Sequence, residues 1–152
     1  MSNLGLERFL EGKGLNLERT KVGDRHVVTR MREGGFNLGG EQSGHIVMSD
    51  YATTGDGLMA GLQFLALMKQ TGLKASELVR RFTPVPQVLR NLRLDTSLLQ
   101  RPEITSLIRT QEGRLGKAGR ILVRPSGTEP LIRVMVEAED EALLCDVLAG
   151  IE

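Results

Sequence analysis

The chain has 152 residues, enough for one ordinary domain or two small ones, and its 40% apolar and 26% charged content is that of a soluble globular protein. A net charge of +1 gives no bulk field for nucleic acid or an acidic membrane surface, so no nucleic-acid or membrane partner is expected. One cysteine, Cys145, excludes an intrachain disulfide, and no apolar run reaches the ~18 residues of a membrane span, so a cytoplasmic protein is expected. Aromatic residues are 3% of the chain, which leaves Leu, Ile, Val, Met and Ala to build the core.

Residues 2–12 read as a short helix that can turn Leu4, Leu6, Phe9 and Leu10 inward. Leu15 to Arg19 reads as a short strand, followed by the turn Lys21-Val22-Gly23-Asp24. Arg25 to Glu33 reads as a helix stopped by Gly34-Gly35, which can supply a left-handed cap. Phe36 to Gly40 and Ile46 to Asp50 are short strands joined by Glu41-Gln42-Ser43-Gly44-His45. Thr53-Thr54 can cap a long helix from about Asp56 to Thr71. That helix is apolar nearly all round, so burial on most sides is expected. Ser76 to Phe82 is another short helix.

Thr83-Pro84-Val85-Pro86 is the best boundary, because two prolines enforce an extended link; it divides the chain into 1–82 and 83–152. Beyond it Gln87 to Asp95 alternates as a strand does, and Pro102 to Glu112 suggests a helix. Gly113, Gly116 and Gly119 then mark a loop. Arg120 to Arg124 and Leu131 to Glu137 are strands. A last helix from near Glu139 should bury Leu144, Val147, Leu148 and Ile151, with Cys145 on the flank of that stripe as an inert, partly buried thiol. The second half is therefore an α+β arrangement of strand, helix, two strands and helix.

Two loops carry chemistry. Arg124-Pro125-Ser126-Gly127-Thr128-Glu129-Pro130, with Arg133 just beyond, sets two hydroxyls and a glycine backbone between guanidinium groups that suit a phosphate. Arg133 lies on a strand so apolar that it needs an anion nearby or must reach water. The rival reading is an exposed tight turn with incidental arginines. In Gly39-Gly40-Glu41-Gln42-Ser43-Gly44-His45 the glycines admit close backbone approach, and Glu41 and Ser43 suit sugar hydroxyls. The rival there is a hairpin loop whose Glu41 caps a backbone N–H. His45 is more often a packed, hydrogen-bonded histidine than an acid or base. No metal site is expected: His26 and His45 lack partners at ligand spacing, and Asp56 reads as a cap. Lys21, Gly23 and Asp24 read on composition as a solvated turn.

Together the two loops resemble the α-D-phosphohexomutase superfamily, which interconverts 1- and 6-phosphosugars. Glu41, Ser43, Gly44 and His45 are similar to its sugar-specificity loop, and Arg124 to Pro130 to its phosphate-binding loop. Gly39 to Val47, Tyr51 to Gly57 and Arg124 to Glu137 resemble the phosphoglucosamine mutase branch more than phosphomannomutase/phosphoglucomutase. The resemblance implies an incomplete three-layer α/β, Rossmann-like third domain, followed by a small α+β domain like the TATA-box-binding-protein fold. It implies that Arg124, Ser126, Gly127, Thr128 and Arg133 hold the unreacting phosphate, and that Glu41, Ser43, Gly44 and His45 face the sugar. It also implies that Lys21, Gly23 and Asp24 belong to a cleft loop. No segment resembles the family's phosphoserine loop or its Mg²⁺-binding loop, so no catalytic residue is expected in this chain. The Mg²⁺ ligands and the preceding mutase domains are expected elsewhere. The alternatives are a phosphomannomutase/phosphoglucomutase fragment and a free-standing module that binds sugar phosphates without turnover. Either way an unprotected sheet edge in the first half is expected to favour self-association.

Overall fold

The computed structural model describes residues 1–151 and divides into two compact units. The first comprises Met1–Ser2 and Leu6–Thr83; the second comprises Asn3–Gly5 and the chain from Pro84 onward.

In the first unit, helix α1 (Leu4–Glu11, its first residues belonging to the second unit) leads into an irregular segment and then α2 (Asp24–Gly34). Gly35, at φ 67°, caps α2 in the left-handed region and returns its N–H to Met31. The expected strand at Leu15 to Arg19 does not form. Side chains hold that segment instead: Arg19 pairs with Glu7 at 2.5 Å, and Arg30 of α2 with Glu18 at 2.6 Å. Strands β1 (Leu38–Gly40) and β2 (Ile46–Met48) form an antiparallel hairpin in which Gly39 faces Val47 and Gly40 faces Ile46. Helix α3 (Gly57–Thr71) begins at Asp56, not at Thr53-Thr54: the Asp56 carboxylate accepts from Met59 N–H at 2.9 Å. Helix α4 (Ala75–Val79) is short, and Glu77 reaches back to Lys74 N–H at 2.8 Å.

The expectation that α3 is buried fails. No residue of it is buried, and Leu58, Leu62 and Leu65 stand 76, 51 and 58% exposed. Within its unit α3 leans on β2, a strand of three residues, which is too narrow to cover a helix that is apolar nearly all round. Met31, Val47 and Leu78 are the buried apolar side chains that this unit contributes among the described residues.

The second unit is better filled. Strands β3 (Gln87–Leu92), β4 (Gly119–Pro125) and β5 (Ile132–Ala138) make an antiparallel sheet in the order β3-β5-β4. Ile132, Val134 and Val136 of the central strand turn one way and pack with Leu115 of helix α5 (Pro102–Leu115) and with Leu144, Val147 and Leu148 of helix α6 (Glu141–Ala149). Period-2 strands meeting period-3.6 helices over a shared apolar face produce this core. Helix α5 runs through Gly113 to end at Gly116, because its last turn carries Leu115 into the core. A 3-10 turn at Thr96–Gln100, which the sequence reading passed over, is capped by Asp95; the Ser97 N–H holds that carboxyl below its usual range. Asp140 caps α6 through Ala142 and Leu143 N–H. Cys145 is exposed rather than partly buried, since its position points away from the Leu144/Val147/Leu148 stripe. Ile151 packs on the core from just past the helix.

On the other side of the sheet sits a buried carboxylate. Glu137, wholly buried, accepts from Arg120 Nε at 2.6 Å and from Leu4 N–H at 3.1 Å. Asn3 donates to the same carboxylate at 3.2 Å and bonds both the N–H and the carbonyl of Val85. A buried charge of this kind persists only when paired and fully hydrogen-bonded, and here it is.

Candidate functional site

The glycine-rich loop of the first unit is a tight hairpin end. Glu41 N–H donates to the His45 carbonyl at 2.8 Å, Gly44 N–H donates to the Glu41 carbonyl at 3.0 Å, and Gly44 takes φ 101°. The side chains of Glu41, Ser43 and His45 converge: Ser43 Oγ lies 3.1 Å from His45 Nδ1, which is 4.0 Å from Glu41 Oε2. The other oxygen, Glu41 Oε1, accepts from Gly23 N–H at 2.7 Å. Glu41 therefore does cap a backbone N–H, that of the residue preceding α2, and it draws the Lys21–Asp24 turn against the loop. Asp24 instead accepts from the Arg25 N–H, and Lys21 stays exposed.

Gly39 and Gly40 serve a different purpose from the one expected. A Cβ on Gly39 would collide with Met31 and Val27, and one on Gly40 would stand 2.7 Å from the His45 carbonyl oxygen. These glycines let β1 pack on α2 and close its own hairpin; they do not open the backbone to a ligand. Gly44 is the glycine of this loop with open space around it.

In the second unit, β4 and β5 place Arg124 directly opposite Arg133. Like charges opposite one another on a sheet repel, so an anion between them would stabilise the pair. Ser126 N–H donates to the Leu131 carbonyl at 2.9 Å and closes the turn, while Gly127 and Thr128 lie exposed at its tip. Arg133 Nη2 meets Glu129 at 3.3 Å, yet its Nε and the Ser126 Oγ are buried with no hydrogen-bond partner. Buried donors left unsatisfied are costly; here one belongs to the arginine pair and the other to the turn beside it. Next to this turn a cavity of about 670 Å³ is lined by Arg93, Asp95, Thr96, Glu129 and Leu131, among others. Arg93 was missed from sequence because its alternation marked it only as an outward polar residue of a strand.

Among the described residues, no group of three or more His, Cys, Asp or Glu side chains is placed to hold a metal ion. No helix is long and apolar enough to cross a membrane, again among the described residues.

Comparison with known proteins finds two successive family profiles along the chain. Residues 1–85 match the family profile "Phosphoglucomutase/phosphomannomutase, alpha/beta/alpha domain III", and residues 88–152 match the profile of that family's C-terminal domain. The chain is 66% identical to a phosphoglucosamine mutase of Cereibacter sphaeroides and 63% identical to one of Paracoccus denitrificans, over 99% of its own length in each case. It covers 34% of each, so it spans about a third of the length of the curated relatives it matches. Among solved structures, N-acetylphosphoglucosamine mutase of Aspergillus fumigatus superposes with a TM-score of 0.81 at 21% identity, over 99% of this chain and 36% of that one. A phosphoglucomutase/phosphomannomutase family protein of Burkholderia thailandensis gives 0.70 at 23% identity, over 95% and 33%. Two successive domain profiles in the right order, joined to structural likeness along nearly the whole chain, establish that the chain belongs to the phosphoglucomutase/phosphomannomutase family.

Proposed function

We propose that this chain is the sugar- and phosphate-holding part of a phosphoglucosamine mutase, acting in the interconversion of glucosamine 6-phosphate and glucosamine 1-phosphate. The observation that carries this reading is the Arg124–Arg133 pair with the unpartnered Ser126 Oγ and Arg133 Nε beside it. Relatives named phosphoglucosamine mutase at 63–66% identity supply the sugar. Arg124 and Arg133 would grip the phosphate that is not reacting, with Ser126, Gly127 and Thr128 completing the cradle. Glu41, whose Oε2 is not used by Gly23, would accept from sugar hydroxyls together with Ser43 and His45. Lys21, Gly23 and Asp24 belong to the same loop cluster. Phosphoryl transfer is dominated by positioning and charge stabilisation, and this chain would contribute the positioning. The phosphoserine and Mg²⁺ would come from other parts of a longer cytoplasmic enzyme that makes cell-wall precursors. Self-association through exposed apolar surface of the first unit completes the reading.

Titration of the full chain with inorganic phosphate tests it. Amide shifts should centre on Ser126, Gly127 and Thr128 with a Kd near the millimolar range, about −4 kcal/mol. Added salt should weaken them. Arg124→Ala and Arg133→Ala should each abolish the shifts, and Lys117→Ala should leave them. Shifts that centre elsewhere, or survive both arginine replacements, would reduce the loop to a turn.

A further inference from the structure

The register of the three-stranded sheet places a third residue in line with the arginine pair. Arg133 of the central strand faces Arg124 of β4 on one side and Asn91 of β3 on the other. Residues opposite each other in an antiparallel pair project to the same side of the sheet, so these three side chains form one polar row. The next row on that face is Leu89, Met135 and Leu122, and the one beyond it is Gln87, Glu137 and Arg120, which Asn3 and Leu4 occupy. The polar row Asn91–Arg133–Arg124 is thus walled off by an apolar row from the structural carboxylate and lies at the end of the sheet beside Ser126.

The alternation of β3 makes this placement specific. Val88 and Leu92 pack on the apolar core through the other face, so Asn91 is directed to the arginine side by the same period that buries its neighbours. Asn91 is exposed, whereas Arg133 on the adjacent strand has a buried Nε with no partner. Asn is a poor strand former, so its presence mid-strand calls for another reason. A carboxamide in this position supplies an N–H₂ donor without adding a third positive charge to a row that already holds two. Directly opposite residues have Cβ atoms about 5 Å apart, so Asn91 flanks the root of the Arg133 side chain, whose unpartnered Nε is the guanidinium donor nearest the strand.

We propose that Asn91 is a further ligand-contacting residue of the phosphate site, donating from Nδ2 to an oxygen of the bound phosphate monoester. This rests on the reading that Arg124 and Arg133 hold phosphate, and deepens it. The rival is that Asn91 merely steadies Arg133 through Oδ1, and the two make opposite demands on one variant. Asn91→Asp keeps the shape and the acceptor, so it would hold Arg133 as well or better. If Asn91 touches the anion, the same change sets a carboxylate against it.

The test is titration of the full chain with inorganic phosphate and with glucosamine 6-phosphate, following backbone and Asn side-chain amides. The Asn91 Nδ2 resonances should move together with Ser126–Thr128. Asn91→Ala should weaken binding about tenfold, the loss of one hydrogen bond to a charged acceptor. Asn91→Asp should weaken it by on the order of tenfold or more, through like-charge repulsion. Arg90→Ala, one residue away on the opposite face, should leave binding unchanged although it removes a charge. The inference is overturned if the loop amides move while Asn91 Nδ2 does not, or if Asn91→Asp binds as tightly as the parent. If the parent chain itself shows no shifts at Ser126–Thr128, the phosphate reading fails first and this inference falls with it.

Discussion

Glu41 and Glu137 show how differently two carboxylates are employed in one chain. Glu137 is wholly enclosed and bonded to Arg120, Leu4 N–H and Asn3, so its role is structural. Arg120→Ala would leave that charge buried without its counter-ion and should cost about 3 kcal/mol in urea-monitored unfolding of the second unit. Glu41 divides its oxygens between Gly23 N–H and the Ser43/His45 side. Glu41→Ala should cost about 1 kcal/mol, as the loss of a helix cap does, whereas Glu41→Gln retains an acceptor and most of that stability. Ser43→Ala should leave the unfolding midpoint in place while weakening sugar-phosphate binding. A midpoint equally insensitive to Glu41→Ala would show that the Gly23 bond contributes nothing to folding.

At the level of elements, the strands and helices of the second half were legible because each has one buried face and a clear period. Ile132, Val134 and Val136 alternate with Arg133 and Met135, and Leu144, Val147 and Leu148 recur at helical spacing. The candidate loops were legible as motifs, but their geometry was not. That Arg124 and Arg133 stand opposite each other depends on register, which a turn of this length leaves open. Nor could pattern alone reveal that Gly39 and Gly40 are filled by Met31, Val27 and the His45 carbonyl. Helix α3 misled for the converse reason: a sequence apolar nearly all round announces that a helix is to be covered, not that this chain covers it. Its stripe Leu58, Leu62 and Leu65 should drive concentration-dependent association in sedimentation, since exposed apolar patches of this kind seek cover. Replacing all three by Gln should abolish that association without shifting phosphate binding. Association that persists in the triple variant would assign it to another surface, such as the β1–β2 edge.

Across the whole molecule the contrast is between a filled unit and an open one. All the exposed large apolar side chains except Leu89 and Leu94 precede residue 83, among the described residues. Amide exchange should therefore be slowest in β5, whose residues from Val134 to Ala138 are all buried, and markedly faster through α2 and α3. Equal protection in the two units would contradict this. The chain by itself should show no mutase turnover on glucosamine 1-phosphate with Mg²⁺ and a bisphosphate activator, because on the proposed function its residues only position the phosphate and the phosphoryl donor comes from elsewhere. Asn3–Gly5 belong to the second unit, whereas Met1–Ser2 and Leu6–Thr83 belong to the first, so a short early segment is separated in sequence from the rest of the unit it packs in. Proteolytic nicking between Thr83 and Pro84 would then separate neither unit cleanly, because the tripeptide Asn3–Gly5 stays hydrogen-bonded to Val85 and Glu137. A recombinant piece beginning at Pro84 would lack that tripeptide, and adding it back as a synthetic peptide should raise the piece's melting temperature, much as a missing strand complements a split protein.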